Sequence, residues 1–540
     1  MRGVFAFILF SLFGASPESK AAPRGNSNFI VNGTWTQSSP LNLPPSLGRS
    51  RPPQPFSPFF PSASPREIAD AFLRTNFWRT GARQAADFRF RSQLAGTEAT
   101  SLRFRQERNI RLTNGLDIPV EVKGGELVMH VGGNSLLFAS ASAPENLFAL
   151  HKQTLTAEDA RAIAFLEFGS DATKAINSGL KILLAKSPQG EMRESLAYIV
   201  RVTGMSELEE ELLYIDAHDG TLLRSTPTIQ TLSPQIIVFG EANRSDEAKL
   251  INVIDSTRDE ISTNLMPEDI FPIALSSASC PGSPSPAKFC TDAIDEKTAE
   301  IARLTWRNAE LTDKFFHDKF ARNSFDGSGA TVRSLIRFRA GWANAGWIDE
   351  LGMIVYGDGN PFVHHPFAKA LDISAHELTH GLTARTSALD YVSEPGALNE
   401  SYSDVFAKLI SREFEGGDDW TLGKAIFLTE GRFLRDMRNP NISHVRDQIH
   451  RNETCSFRND GCGVHANSGI PNLAAVLLAD QIGVEDFGKL YFSVLTRYLR
   501  PNSDFKDALA QTLAACELIW GENNSRCTAV TSSFQAVGIE

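Results

Sequence analysis

The chain has 540 residues, 42% of them hydrophobic, which is enough for several globular cores. Its formal charge of −11 and pI ≈ 5.6 come without any block of basic residues. Phosphate binding needs a basic face, so the composition argues against a nucleic-acid partner.

Residues 1–22 read as a secretory signal: Arg2 supplies the charge, "VFAFILFSLFGA" is a short apolar core, and small residues follow from Ala15 to Ala22. The apolar run is too short to span a bilayer, and no cysteine follows it for a lipid anchor. The expectation is a secreted, extracellular protein without a stable membrane anchor. Residues 23–65 are rich in Pro and Ser and predict an extended linker. From 66 to 150, "SLRFRQ" and "IPVEVKGGELVMHVGG" alternate as strands do. From 151 to 230, "TAEDARAIAFLEFG" predicts a helix opened by Thr156. It is followed by strands in "LAYIVRVTG" and "ELLYIDAHDGTLLRS", the latter turning at Asp219-Gly220. This front half is α+β and carries no dense set of catalytic residue types.

Beyond 230 the chain changes character. Cys280, Cys290, Cys455, Cys462, Cys516 and Cys527 all lie here, in three local pairs. In an exported protein this suggests disulfides 280–290, 455–462 and 516–527, with proximity as the warrant among many possible connectivities. "MIVYGDG" predicts a strand ending in a turn. After 370 helical patterns dominate, in "LDISAHELTHGLTA", "ALNESYSDVFAKLI", "SGIPNLAAVLLADQI" and "FKDALAQTLAACELIW".

His376-Glu377-Leu378-Thr379-His380 puts two imidazoles four residues apart, on one helix face, with a glutamate alongside. Alone, this pattern matches by chance in about one chain of this size in a hundred, and its bland reading is two ordinary helix histidines. Glu400 follows His380 by twenty residues, and Asp404 lies one helical turn beyond it. A catalytic zinc takes three protein ligands and keeps one position open; His376, His380 and Glu400 supply three. Asp404 is the carboxylate to orient His376 from behind.

These segments resemble the thermolysin family of zinc metallopeptidases, whose pattern is H-E-x-x-H followed by G-A-[LI]-N-E-x-x-S-D. The resemblance runs through "HELTH" and "GALNESYSD" and extends to "NAGW" at Asn344–Trp347, "LRDMRNP" from Leu434 and "NDGCGVHANSGIPN" from Asn459, covering roughly 235–540. Gly346 stands where the family usually has an aromatic residue, and the gap to "VYGDG" is longer by two. The front half resembles the family's propeptide, in a first module over 66–150 and a second over 151–230. The implied fold is α+β: a propeptide, then a two-lobed catalytic domain. A β-rich lobe over 235–380 includes the first ligand helix, a helical lobe spans 381–540, and zinc lies in the cleft between them. The implied product is a zinc metalloendopeptidase made as a zymogen, whose propeptide assists folding and inhibits until cleavage near 225–240.

The resemblance also implies roles. Glu377 is the general base, and Tyr391 and His465 are donors to the developing oxyanion, with Asp460 orienting His465. Asn344 and Ala345 bind the peptide as an added strand, and Arg435 binds a substrate carbonyl. Ile373, Leu422 and Leu434 line an apolar pocket for the residue after the cut. Protein or peptide substrates and the chain's own propeptide are the implied partners, with a monomer after maturation. His364 and His365 read as loop residues near the cleft, and the sequon Asn399-Glu400-Ser401 as incidental, because a glycan there would sit beside the metal. The family pattern includes a double calcium site. Asp372 and Asp419 match two of its carboxylates, while three more positions fall on Ser411, Thr421 and Lys424. Calcium wants several anionic oxygens, so one weakened site or none is expected. The competing reading is a non-catalytic zinc-binding secreted module, which would have lost the base or a donor; all are present.

Overall fold

The computed structural model describes residues 27–32, 34–37, 64–76, 87–96, 99–133, 135–142, 153–186, 192–204, 210–231, 249–252, 296–330, 332–338, 341–451 and 453–540. The signal-like segment and the Cys280/Cys290 pair lie outside the described residues.

The front half is built on one ten-stranded sheet. Strands β1 (Ser27–Asn32) and β2 (Thr34–Gln37) form a hairpin, and β1 pairs antiparallel with β6. Part of the stretch expected to be an extended linker is therefore sheet. Helix α1 (Pro65–Asn76) follows, then β3 (Phe88–Leu94), β4 (Thr100–Arg111), β5 (Asp117–Gly132) and β6 (Ser135–Ser142). Ile68 and Phe72 of α1 close over Leu102, Phe104, Leu127 and Met129 to make the first small core. The second contains α2 (Ala157–Phe168), β7 (Lys174–Lys186), β8 (Met192–Thr203), β9 (Glu210–Asp216) and β10 (Leu222–Pro227). Thr156 caps α2, bonded reciprocally with Asp159. Ala160, Ala164 and Phe168, one turn apart, pack on Leu196, Tyr198 and Val200. The long strand β5 joins the two modules, pairing with β4 and β6 and, in parallel at Val122↔Ile182, with β7.

The second half opens with a five-stranded sheet in the order β11-β14-β15-β13-β12. Its strands are β11 (Ile229–Thr231), β12 (Lys249–Asn252), β13 (Arg333–Ile336), β14 (Ala345–Ile348) and β15 (Met353–Tyr356). Between β12 and β13 lies α3 (Glu296–Phe320), a helix the periodicity did not single out. Its buried face includes Thr305, Asn308 and Thr312 among Ile301, Phe315 and Phe316, which blurs the apolar stripe. Both threonine hydroxyls return to the carbonyls four residues back, and Asn308 donates to Ala368 and Lys369 carbonyls. The helical lobe contains α4 (Leu371–Ala384), α5 (Ser393–Glu415), a ribbon of β16 (Thr421–Leu422) and β17 (Arg435–Asp436), then α6 (Asp460–Asn467), α7 (Gly469–Ile482), α8 (Val484–Ser493), α9 (Phe505–Trp520) and α10 (Ser525–Ala536). Disulfides Cys455–Cys462 and Cys516–Cys527 form as proximity suggested. Among the described residues, no helix is long and apolar enough to cross a membrane.

The two halves meet through buried polar contacts. Asp390, just before Tyr391, is held by Lys123 (2.5 Å) of β5 and Arg224 (3.1 Å) of β10. His130 of β5 stacks on Tyr498 with ring centroids 4.0 Å apart. Helix α4 is buried from Leu371 through Thr383, on every face. That places the polar residues of H-E-L-T-H in the interior, where each needs a partner.

Candidate active site

One helical turn brings His376 and His380 together, with their Nε2 atoms 3.1 Å apart. Helix α5 packs against α4 and delivers Glu400, whose oxygens lie 3.5 Å from His376 Nε2 and 3.4 Å from His380 Nε2. One ligand atom from each residue falls within 4.8 Å of the others, and all three side chains are fully buried. The outer nitrogens are fixed from behind. His376 Nδ1 lies 2.9 Å from Asp404 Oδ1, and His380 Nδ1 donates to Asn399 Oδ1 at 2.9 Å. The Asn399 amide group faces the Leu389 carbonyl and Gln230 Oε1, both acceptors, which leaves its oxygen for the imidazole. With both Nδ1 atoms engaged, both Nε2 atoms face the carboxylate.

This donor set fits zinc. Two imidazole nitrogens and one carboxylate converge, and Glu400 Oε2 is buried without a hydrogen-bond partner among the described residues. The electrostatics favour a cation at this point. Burial works against a charge on His376, yet Asp404 and Glu400 raise it to about 9. Burial likewise opposes the Glu400 carboxylate, but His465 and the two histidines hold it well below the usual range.

Glu377 sits beside this cluster with both carboxylate oxygens buried and no hydrogen-bond partner among the described residues. Burial first, and then the Glu400 charge, push it up to about 8. A carboxylate kept this dry and unpaired is a costly feature that suits a proton acceptor better than a structural anchor. Tyr391 donates its hydroxyl proton to Glu400 Oε1, and the Tyr391 hydroxyl oxygen lies 3.2 Å from His465 Nε2. His465 Nδ1 donates to Asp460 Oδ1 at 2.6 Å, and its backbone N–H donates to Asp460 Oδ2 at 3.0 Å. Burial disfavours the imidazolium, but Asp460 and Glu400 raise His465 to about 9. The turn that carries this pair runs through positive φ from Asp460 to Gly463, and Cys462 within it is tied to Cys455. A side chain on Gly461 would come within 3.2 Å of the Tyr391 carbonyl, so the glycine lets the turn close on the Tyr391 segment.

Arg435 projects from β17, its Nε and Nη2 2.9 and 2.7 Å from the two Asp404 oxygens, with Nη2 4.0 Å from Glu400. Asn472 adds a third donor to Asp404 at 2.9 Å. Burial alone would raise Asp404, but Arg435 and His376 bring it to about 2. The ribbon that carries Arg435 also sets Leu434, whose N–H donates to the Leu422 carbonyl. Ile373 and Leu422 are fully buried and Leu434 half-buried, in one shared core. Asn344 and Ala345 are buried at the start of β14, whose outer edge is taken by β11. His364 forms a bridge to Phe427 and packs on Phe367, and it is not among the residues that converge as metal ligands.

Asp372 and Asp419 do not form a calcium cage. Asp372 accepts from the Gly423 N–H at 2.7 Å, and burial raises its pKa. Asp419 accepts from Thr421 N–H and hydroxyl, with Lys424 Nζ at 3.0 Å and Lys408 Nζ at 3.5 Å. Two ammonium groups stand at the one carboxylate, which does not fit a divalent cation there.

Three contributors escaped the sequence reading. Asn399 entered it only as an incidental sequon, yet it is buried against His380. Ser403, 3.2 Å from the same nitrogen, and Asn472, behind Asp404, carry no spacing signal of their own. Position alone hinted at Asn399, because it immediately precedes the third ligand.

Two family profiles match the chain: "Thermolysin metallopeptidase, catalytic domain" over residues 293–384 and "Thermolysin metallopeptidase, alpha-helical domain" over 387–539. Thermostable neutral protease NprT of Geobacillus stearothermophilus is 30% identical over 457 residues, covering 78% of this chain and 81% of that protein. Bacillolysin of Bacillus amyloliquefaciens is 28% identical over 470 residues, with 83% and 85% covered. Thermolysin of Alicyclobacillus acidocaldarius subsp. acidocaldarius is 29% identical over 458 residues, with 78% and 81% covered. Alignments covering this much of the chain extend well ahead of residue 293, into the front half.

Proposed function

This chain belongs to the thermolysin family of zinc metalloendopeptidases, and on that premise we propose that it is a secreted endopeptidase, made as a zymogen, that cuts on the N-terminal side of apolar residues. The observation that carries the chemistry is Glu377: a buried, unpaired carboxylate next to the first ligand of a three-residue metal site. When bound, zinc supplies Lewis acidity, which polarises a carbonyl and acidifies water near neutral pH. His376, His380 and Glu400 hold it, and Asp404 and Asn399 fix the two imidazoles. Glu377 takes the proton of the attacking water and returns it to the leaving amine. Tyr391 and His465, within 3.2 Å of each other, donate to the carbonyl oxygen as it becomes negative. Asp460 keeps the His465 imidazole aimed.

Around this centre the peptide lies along β14 as an added strand, held by Asn344 and Ala345. Arg435 faces a substrate carbonyl from its seat on Asp404, and Ile373, Leu422 and Leu434 receive an apolar side chain after the cut. The front half is the propeptide, and cleavage near 225–240 releases a catalytic chain that works as a monomer. Secretion is supported by the signal-like residues 1–22 and by the two disulfides of the helical lobe, which persist in oxidising compartments.

The test is the full chain with Glu377→Ala beside the unaltered chain, followed for processing and casein digestion. The variant should stay full length and inert. A variant that matures and digests casein normally would overturn the mechanism.

A further inference from the structure

Strand β11 lies antiparallel on the outer edge of β14, with Ile229↔Ile348, Gln230↔Trp347 and Thr231↔Gly346. It holds the place assigned above to a peptide substrate, and it belongs to the stretch expected to contain the maturation cut. From Ile229 to Thr231, each residue moves one step from Ile348 toward Ala345.

The packing of β14 against α4 gives the level of the catalytic base. Tyr356, the partner of Ala345 on the inner side, has its hydroxyl 3.1 Å from Ser374 Oγ. At the other end the Trp347 indole lies on α4 at Gly381, where an added Cβ would meet it at 2.8 Å. Asp349, further on, pairs with Arg385 at 3.0 Å. So β14 runs in the same direction as α4, Ala345 near Ser374 and Trp347 near Gly381. Glu377 lies between those two levels, and so does Gly346, the partner of Thr231. On the opposite flank, Gln230 Oε1 is 3.4 Å from Asn399 Nδ2, and Asn399 is the residue that fixes His380. One strand step of about 3.3 Å past Gln230 leads from the level of His380 toward Glu377, one helical turn earlier.

The residues that follow Thr231 are Leu232, Ser233, Pro234 and Gln235. Leu232 lies outside the described residues, and only its identity and its bond to Thr231 enter here. It follows Thr231, the last residue of β11, and it is apolar, as the pocket of Ile373, Leu422 and Leu434 requires. Ile229 is apolar too, but it pairs with Ile348, at the far end of β14. Ile236 and Ile237 lie beyond Pro234. We propose that the maturation cut is the Thr231–Leu232 bond, presented by the chain to its own Glu377; this rests on the endopeptidase reading above. Water's oxygen adds to the Thr231 carbonyl carbon, the C–N bond to Leu232 breaks, and the new amine of Leu232 keeps the proton.

The test uses the full chain, purified uncut and then activated with zinc, with Glu377→Ala treated identically. Amino-terminal sequencing and intact mass should give a mature chain that begins at Leu232. The time for half conversion should not change over about a hundredfold dilution. Leu232→Asp should slow that cut by about tenfold or more, because an apolar pocket rejects a carboxylate. A casein-digesting enzyme that begins instead at Ile229, Ile236 or Ile237, or a Leu232→Asp chain cut at the same bond and rate, overturns the proposal and leaves the endopeptidase reading standing. Half conversion that slows in proportion to dilution overturns cutting by the chain's own Glu377. Equal cutting of the Glu377→Ala chain overturns the endopeptidase reading itself.

Discussion

Asp404→Asn measures how much metal affinity comes from the carboxylate behind the ligand. Asp404 is fully buried and takes two bonds from Arg435 and one from Asn472, with His376 Nδ1 2.9 Å away. All of these neighbours present N–H groups. Asparagine keeps the shape but removes the charge and replaces one acceptor with an NH2, so at least one donor must face another donor. The carboxyl of Asp404 is lowered from 3.8 to about 2. At about 1.4 kcal/mol per unit, its surroundings prefer the charged form by roughly 2–3 kcal/mol. Against the opposing burial, Arg435 is the largest source of that preference, so only part of it reaches His376. Zinc affinity should therefore fall by roughly 10- to 100-fold, the usual range for losing such a partner. Competition for zinc against a chromogenic chelator, in the Glu377→Ala chain to prevent self-digestion, gives the ratio of dissociation constants. A folded Asp404→Asn chain whose zinc affinity stays within about twofold would refute the assignment of Asp404 to the metal site.

Three further outcomes are expected. Replacing Asp390 with Asn leaves Lys123 and Arg224 half-buried without their carboxylate; breaking such a pair costs about 2–4 kcal/mol, so the cut propeptide should leave the catalytic chain roughly a hundredfold more readily. Gel filtration of the cut protein across a urea series reads this, and an unchanged release point counts against the clamp. Burial, with Arg103 and Arg497 nearby, lowers His130 from 6.5 to about 3, so the uncut chain keeps that contribution in full above pH 6.5 and loses it progressively as pH falls toward 3. At pH 5 the loss is about 2 kcal/mol; His130→Phe, which keeps a ring against Tyr498, should flatten that part of the urea-midpoint profile, and an identical drop in both proteins speaks against the assignment. Finally, chelating calcium without removing zinc should move the melting temperature of the mature chain by less than about 2 °C, since Lys408 and Lys424 already neutralise Asp419. Two tightly held calcium ions at Asp372 and Asp419 would contradict this.

Local periodicity was enough to place His376, Glu377 and His380, because residues one helical turn apart share a face whatever surrounds them. It was enough for Thr156 as the cap of α2 and for the turn at Asp219-Gly220, since both depend on neighbours in sequence. It failed for α3, whose buried Thr305, Asn308 and Thr312 satisfy themselves within the helix or against distant carbonyls and so break the apolar stripe. The hairpin β1–β2 was missed because a Pro/Ser-rich stretch dominated the reading of a short pleated segment at its front. The doubt about calcium rested on the three carboxylate positions taken by Ser411, Thr421 and Lys424; Lys408 reaches Asp419 from α5, eleven residues earlier, and no spacing announces it.

What the sequence determined by itself is the inventory and its short-range geometry: two imidazoles and a base on one helix, a carboxylate pair on the next, and a family pattern linking them. The tertiary structure decided how they are used. The crossing of α5 over α4 brings Glu400 to the two imidazoles, and Arg435 reaches Asp404 only because the β16–β17 ribbon folds back on α5. Strand β11 meets β14 across more than a hundred residues of chain, through pairings whose partners are chosen by packing rather than by neighbours. Side-chain identity sets which contacts are favourable; only the folded chain brings residues this far apart in sequence to within bonding distance.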